Sequence, residues 1–167
     1  FGIDEDRIAR AMPNTPAQIG AGITALTIPP TLPKEFKSRI ESLFNGVGST
    51  VSLSESLMDA FTALAGSGPA YLFYLAEAMI DGAVAAGIDL ADADLIVRQT
   101  LLGSAKLLVA RDLETGELRA PISLRAAVTS KGGTTEAAIA VFDANNTARV
   151  ISQAIVAGRD RGRALNG

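Results

Sequence analysis

The chain contains neither cysteine nor histidine. Without cysteine there is no disulfide framework and no thiol chemistry, and the composition suits a reducing compartment, so a cytoplasmic protein is expected. Without histidine no imidazole can serve as the base of a Ser-His-Asp triad or as the usual zinc ligand, and no metal site is expected. Aromatic residues are scarce, at 5%. Positive charge is short as well: 15 Lys and Arg face 18 Asp and Glu, for a net charge of −3. Nucleic-acid binding depends on a basic face that neutralises phosphates, so no such partner is expected. An uninterrupted hydrophobic run is also missing. The most apolar stretch, residues 60–80, is broken by Gly66-Ser67-Gly68-Pro69, contains Glu77 and is followed by Asp81. A carboxylate near the centre of a bilayer helix costs about 2.5–3.5 kcal/mol, so this stretch reads as a buried helix and not a membrane span. The N-terminus has acidic residues where a secretory signal has basic ones. It begins on Phe1 and not on Met, so the chain is expected to be a piece of something longer.

What is abundant is alanine, glycine and apolar residues generally, 48% of the 167 positions. A chain of this length can bury about 68–70% of its unfolded surface and needs no staple. Alanine-rich apolar sequence points to closely packed helices. Two regions differ in character. In residues 1–51, positions 7–12 read as a short strand ending at Pro13, and 19–28 alternate and are rich in Ile and Thr, as strands are. Positions 34–44 place Phe36, Ile40, Leu43 and Phe44 on one helical face, and 46–51 return to strand composition. From Ser52 the pattern is helical. Ser52 and Glu55 have the spacing of a capping box. A helix follows from Ser67-Gly68-Pro69 to Gly87, with Ser67 as its expected cap. This helix is apolar on nearly all sides from Ala70 to Ala76, which requires burial in a bundle centre or a subunit interface. Further helices are expected over 91–111, 122–128, 136–143 and 147–163. The fold class expected is mainly α: an all-helical domain, residues 52–167, preceded by a remnant of an α/β sheet, residues 1–51.

Three segments could carry chemistry. In Thr129-Ser130-Lys131-Gly132-Gly133-Thr134-Thr135, two glycines expose bare backbone and a helix follows directly. Its unpaired amides would favour an anion such as a carboxylate, with hydroxyls from Ser130, Thr134 and Thr135. An ordinary glycine turn with a threonine cap reads the same residues equally simply. Gly66-Ser67-Gly68-Pro69-Ala70-Tyr71 is superficially a phosphate loop, but it follows a helix and lacks the third glycine, so a tight helix–helix corner is the expectation. Met12-Pro13-Asn14-Thr15-Pro16 holds a polar pair between two prolines of fixed φ at a strand end, where open α/β sheets place their ligands. It could equally be a plain connection. Glu77 and Asp81 are expected at the exposed edge of their helix, and Asp89, Asp92 and Asp94 around a helix start.

Taken together, Met12-Pro13-Asn14-Thr15-Pro16, Glu55 with Met58-Asp59-Ala60, Thr62 with Gly66-Ser67-Gly68-Pro69-Ala70-Tyr71, and Thr129-Ser130 with Gly132-Gly133-Thr134-Thr135 resemble the pyrroline-5-carboxylate reductases in order and spacing, over essentially the whole chain. The resemblance implies a C-terminal helical dimerisation domain preceded by the end of a Rossmann dinucleotide-binding domain. It implies hydride transfer from NADPH, with NAD as the alternative, to 1-pyrroline-5-carboxylate, giving L-proline. It also implies a homodimer that can assemble to a decamer. Carried over by residue, Ser130, Gly132, Gly133, Thr134 and Thr135 would hold the substrate carboxylate, with Thr135 near the imine nitrogen as catalytic proton donor. Met12, Asn14 and Thr15 would lie beside the nicotinamide, and Glu55 and Thr62 would face the same site. Lys131 departs from the family, where many members have proline, and is expected to point to solvent. No G-x-G-x-x-G follows a strand anywhere in the chain, so the pyrophosphate grip is missing and the fragment alone is expected to be inactive. The competing expectation is a helical homodimerisation module with no catalysis of its own.

Overall fold

The computed structural model describes residues 7–166, divided into two units: one runs up to Tyr71 and resumes at Ile151, and the other spans Leu72–Val150. The strands of the first unit are β1 (Arg10–Pro13), β2 (Gly22–Thr27) and β3 (Gly48–Ser52), in sheet order β1-β2-β3. β1 runs antiparallel to β2, with Arg10 opposite Thr27 and Pro13 opposite Thr24. β2 runs parallel to β3, with Gly22 opposite Gly48 and Leu26 opposite Ser52, and helix α1 (Lys34–Asn45) makes the crossover between them. The four expected elements are therefore present. Only Ile40 and Phe44 of the α1 stripe are half-buried, while Phe36 and Leu43 stay exposed. Three strands offer too little sheet to cover the whole stripe.

β2 is the central strand, and its Thr24, Ala25 and Leu26 are buried. The core continues through Met58 and Phe61 of the one-turn helix α2 (Met58–Phe61), with Met12, Ile23, Val51, Leu53 and Ala65 packed around them. Burial of two such side chains contributes about 1.5–3 kcal/mol each. This packing ties the strands to the first helical turn after them. The parallel pair starts at a point where two backbones touch. Gly48 has φ +148, and a Cβ there would overlap the Gly22 carbonyl. Gly48→Ala is expected to destabilise the chain by more than about 2 kcal/mol, read as a lower urea midpoint.

The expected capping box does not form. Ser52 is paired in the sheet and so has extended backbone, and the turn after it (Glu55–Leu57) starts from Ser54 without a side-chain cap. The expected corner at Gly66-Ser67-Gly68-Pro69 is also corrected. α2 passes into a π turn (Thr62–Gly66), Ser67 keeps helical angles of φ −84 and ψ −17, and α3 (Gly68–Ala85) follows at once. Ser67 is a link in continuous helical backbone and not a cap. At the far end the expectation holds: Gly87, at φ +97, stops α3, with the Ile88 amide donating to Ala83 O at 3.1 Å.

In the second unit, α4 (Leu90–Val109), α5 (Pro121–Ala127), α6 (Thr134–Ala144) and the start of α7 (Thr147–Asn166) match the expected helices within about three residues. Glu77 and Asp81 are exposed, as expected. Between α4 and α5 the chain makes a tight turn in which Asp112 Oδ1 accepts the Thr115 and Glu114 amides, each at 3.0 Å. These bonds, that from Thr115 foremost, hold the Asp112 carboxyl below its ordinary 3.8. A depressed value contributes order that is complete above the ordinary value and lost as pH falls through the depressed one. Amide exchange at Glu114 and Thr115 is expected to lose its protection in acid, and Asp112→Asn to abolish that pH dependence.

The interior of this unit is thin. Ala93 and Val97 are its only buried hydrophobic residues among those described, while α3 exposes Leu72 (56%), Phe73 (65%) and Tyr74 (74%). The burial that the sequence demands of α3 is thus absent within one chain. Returning to the first unit, α7 lays Gly158 and Gly162, one turn apart, over Ala63 and Asp59; a Cβ on either glycine would come within 3.2 Å of its neighbour.

Candidate functional site

Two groups of candidate residues emerge, one in each unit. In the first, β1 ends at Pro13 and Asn14 follows with extended angles, φ −114 and ψ 167, before a short 3₁₀ turn over Thr15–Ile19. Asn14 Oδ1 accepts the Ile23 amide at 2.9 Å, and Asn14 Nδ2 donates to Ala65 O at 3.1 Å. These two partners fix the orientation of the side-chain amide. Met12 and Ala65 both pack against the core of Ala25, Met58 and Phe61. The Thr62 hydroxyl donates back to Met58 O at 2.8 Å. Met12 and Thr62 both approach Gly66, where an added Cβ would lie 3.6 Å from Met12 Cε and 3.5 Å from Thr62 Cγ2. Met12, Asn14 and Thr62 are therefore gathered at the π turn. Thr15 is exposed at the same strand end.

Glu55 is placed elsewhere. It forms an exposed ion pair with Arg10, at the opposite end of β1 from Asn14. Three strand steps separate Arg10 from Pro13, about 10 Å. Sequence reading missed Arg10, and a lone arginine opening a strand carries no signal of its partner. It also missed the Tyr71 hydroxyl, which donates to Ala63 O at 2.7 Å.

The second group is the loop from Thr129 to Thr135. The Thr129 hydroxyl closes α5 by donating to Arg125 O at 2.7 Å. The Gly133 amide then donates to Ser130 O at 3.0 Å, a turn that requires Gly132 at φ +72. Gly133 must also be bare, since a Cβ there would fall onto Ser130 Oγ. Gly133 is the N-cap residue of α6, with no side-chain cap. The first amides of α6, from Thr134 and Thr135, point out of the helix start, where the dipole favours an anion. The hydroxyls of Ser130, Thr134 and Thr135 stand around them without a protein partner among the described residues. Thr135 is half-buried, while Lys131 is exposed, in line with its expected direction. Glu136 was not singled out from the sequence. Its Oε2 accepts the Gly132 amide at 2.6 Å, a carboxylate reaching back over the turn much as in a capping box.

The residues present fit one end of a nicotinamide cofactor. A rigid polar loop at a strand end, with Met12 beside it and a Thr15 hydroxyl that has no partner among the described residues, suits a flat amide-bearing ring. No glycine-rich loop for a pyrophosphate occurs in these 167 residues. Among the described residues no group of three His, Cys, Asp or Glu could hold a metal ion, and no helix is long and apolar enough to cross a membrane.

Comparison with known proteins gives one consistent match. Residues 55–165 match the family model described as pyrroline-5-carboxylate reductase dimerisation. A pyrroline-5-carboxylate reductase of Synechocystis is 40% identical over 164 residues, covering 98% of this chain and 59% of the relative. The structure of a pyrroline-5-carboxylate reductase from Coxiella burnetii superposes with a TM-score of 0.85 at 39% identity, covering 95% of this chain and 57% of that one. The crystal structure of Plasmodium falciparum pyrroline carboxylate reductase, which has NADP bound, gives 0.83 at 26% identity, covering 96% and 63%. The chain thus spans about three fifths of the length of these relatives.

Proposed function

Because the chain belongs to the pyrroline-5-carboxylate reductase family, we propose that it is the substrate-binding and dimer-forming part of an enzyme that reduces 1-pyrroline-5-carboxylate to L-proline with NADPH. The observation that carries the reading is the start of α6. The Thr134 and Thr135 amides, a left-handed Gly132 held by Glu136, and three hydroxyls without a partner among the described residues converge there, while the loop's basic residue, Lys131, is exposed. This suits a small carboxylate held by hydrogen bonds.

In this reading the Thr134 and Thr135 amides and the Ser130 hydroxyl bind the substrate carboxylate and so fix the ring. The Thr135 hydroxyl meets the imine nitrogen, gives it a proton as the carbon is reduced, and recovers one from water. A bound reduced nicotinamide supplies the hydride. By the family resemblance Met12, Asn14 and Thr15 would lie beside that ring, with Thr62 at the same π turn; Glu55, paired with Arg10 at the other end of β1, is left out of this group. An imine is already polarised, so orientation and a dry pocket do most of the work; this explains how the chemistry proceeds without histidine. The absence of cysteine suits the reducing cytoplasm. NADPH is favoured over NAD by the NADP-bound relative alone.

A second copy of the chain is the partner. The exposed apolar face of α3 supports this, because a contiguous patch of that kind is covered in a stable protein. Dimers assembling further, to a decamer, are the larger form that the family resemblance suggests. The same face favours the second reading, a dimerisation module with no activity of its own, as the behaviour of these 167 residues in isolation. The chain alone is expected to scatter light as a dimer or larger, to show no turnover, and to bind NADPH more weakly than micromolar. Micromolar binding in a titration would contradict this.

A further inference from the structure

We propose that Asn14 is a positioning residue, acting through Ala65, that fixes the strand-end loop Met12–Thr15 on a carbonyl released by Pro69. The inference rests on the reading above only for what the loop faces. In an α-helix the Ala65 carbonyl would accept the amide four residues on. That residue is Pro69, which has no N–H and whose ring crowds the same carbonyl. The helix responds with the π turn over Thr62–Gly66, in which the Ser67 amide reaches back five residues to Thr62 O at 2.9 Å. The Ala70 amide is taken by Ser67 O at 3.0 Å. Ala65 O therefore lacks its ordinary helical donor in a half-buried place, where an unmet carbonyl is costly.

Asn14 Nδ2 fills that vacancy at 3.1 Å, while its Oδ1 holds the Ile23 amide at the head of β2. One side chain thus joins the end of β1, the start of β2 and the first helical run. Met12, two residues earlier, adds a second attachment: its Cε approaches Gly66, and it shares one core cluster with Ala65. The consequence is that Asn14 has spent its best donor and acceptor within the protein. Its influence on a nicotinamide ring comes from where it holds Met12 and Thr15.

The test joins this chain to an N-terminal nucleotide-binding domain and uses four forms: wild type, Asn14→Ala, Pro69→Ala and the double variant. Pro69→Ala supplies the missing N–H, which competes with Asn14 Nδ2 for Ala65 O and so weakens the hold on Asn14 although it is still present. Each single variant is expected to raise KM for NADPH at least about fivefold with less than a twofold change in KM for pyrroline-5-carboxylate, and the double variant to be no worse than Asn14→Ala. In thermal melting Asn14→Ala should lower the midpoint of the wild-type protein and have little effect when added to Pro69→Ala. If Pro69→Ala leaves KM for NADPH unchanged while Asn14→Ala raises it, the carbonyl released by Pro69 does not govern Asn14 and the inference is wrong. If the variants move only the melting midpoint, the tie is structural and the positioning role fails. If the wild type has no turnover, the family activity is what falls. The melting comparison then still decides whether Asn14 and Pro69 act on one carbonyl, and additive midpoints would overturn it.

Discussion

Replacing Thr135 by Ala in the longer protein is expected to lower kcat/KM for pyrroline-5-carboxylate at least tenfold. Two losses combine. The hydroxyl is one of the three that surround the start of α6, and it is the one proposed to meet the imine nitrogen. A positioned proton donor contributes roughly 10²–10⁴-fold to rate, so tenfold is a lower bound. The Thr135 amide is retained in the variant, and with it part of the carboxylate grip. The loss should therefore fall more on kcat than on KM. Thr135→Ser keeps the hydroxyl and should recover most of the rate. Rates unchanged in Thr135→Ala would reduce this residue to an ordinary first-turn threonine of α6, while leaving the family assignment intact.

The second large effect concerns α3. Leu72, Phe73 and Tyr74 are all more than half exposed in the single chain, on a helix that carries no buried residue. Placing charge there, as in Phe73→Glu, removes an apolar side chain from each of two copies and buries a carboxylate in its place. A symmetric interface counts every change twice, so the lost burial alone is about 3–6 kcal/mol. The dissociation constant of the dimer should rise at least about a hundredfold, read by light scattering over a dilution series. Because Leu72–Val150 has so little interior of its own, the released monomer should also melt at lower temperature. A variant that remains dimeric would move the interface to another face, with the exposed Leu95 and Ile96 of α4 next to be tested.

Much of the fold was legible because it is written in local pattern. The strand compositions, helix α1 and the Gly87 stop each depend on residues near in sequence, and all appear close to where local pattern puts them, although only half of the α1 stripe is covered. The Ser52–Glu55 capping box failed because both residues have stronger partners far away in sequence: Ser52 in the parallel ladder with β2, and Glu55 in its pair with Arg10. The corner at Pro69 failed for a subtler reason. Proline after serine and glycine has the pattern of a helix start, yet a chain already helical can pass a proline by widening one turn, provided something else takes the freed carbonyl. Asn14, far upstream, supplies that group, and no local window contains both. Of the site, the glycines and hydroxyls of residues 130–135 could be read from composition. Glu136 could have been found as well, since an acid at the third position after a bare N-cap glycine commonly turns back on the loop. The apolar α3 posed the clearest problem in the sequence, since it demands burial that one chain does not provide. Its exposure in the single chain is what a missing second copy would leave.

The most direct measurement is the rate of NADPH oxidation that depends on added pyrroline-5-carboxylate, made with this chain joined to an N-terminal nucleotide-binding domain. Turnover that saturates in both substrates and yields proline is the predicted result. A protein that is folded and dimeric, yet leaves NADPH untouched at saturating pyrroline-5-carboxylate, would contradict it.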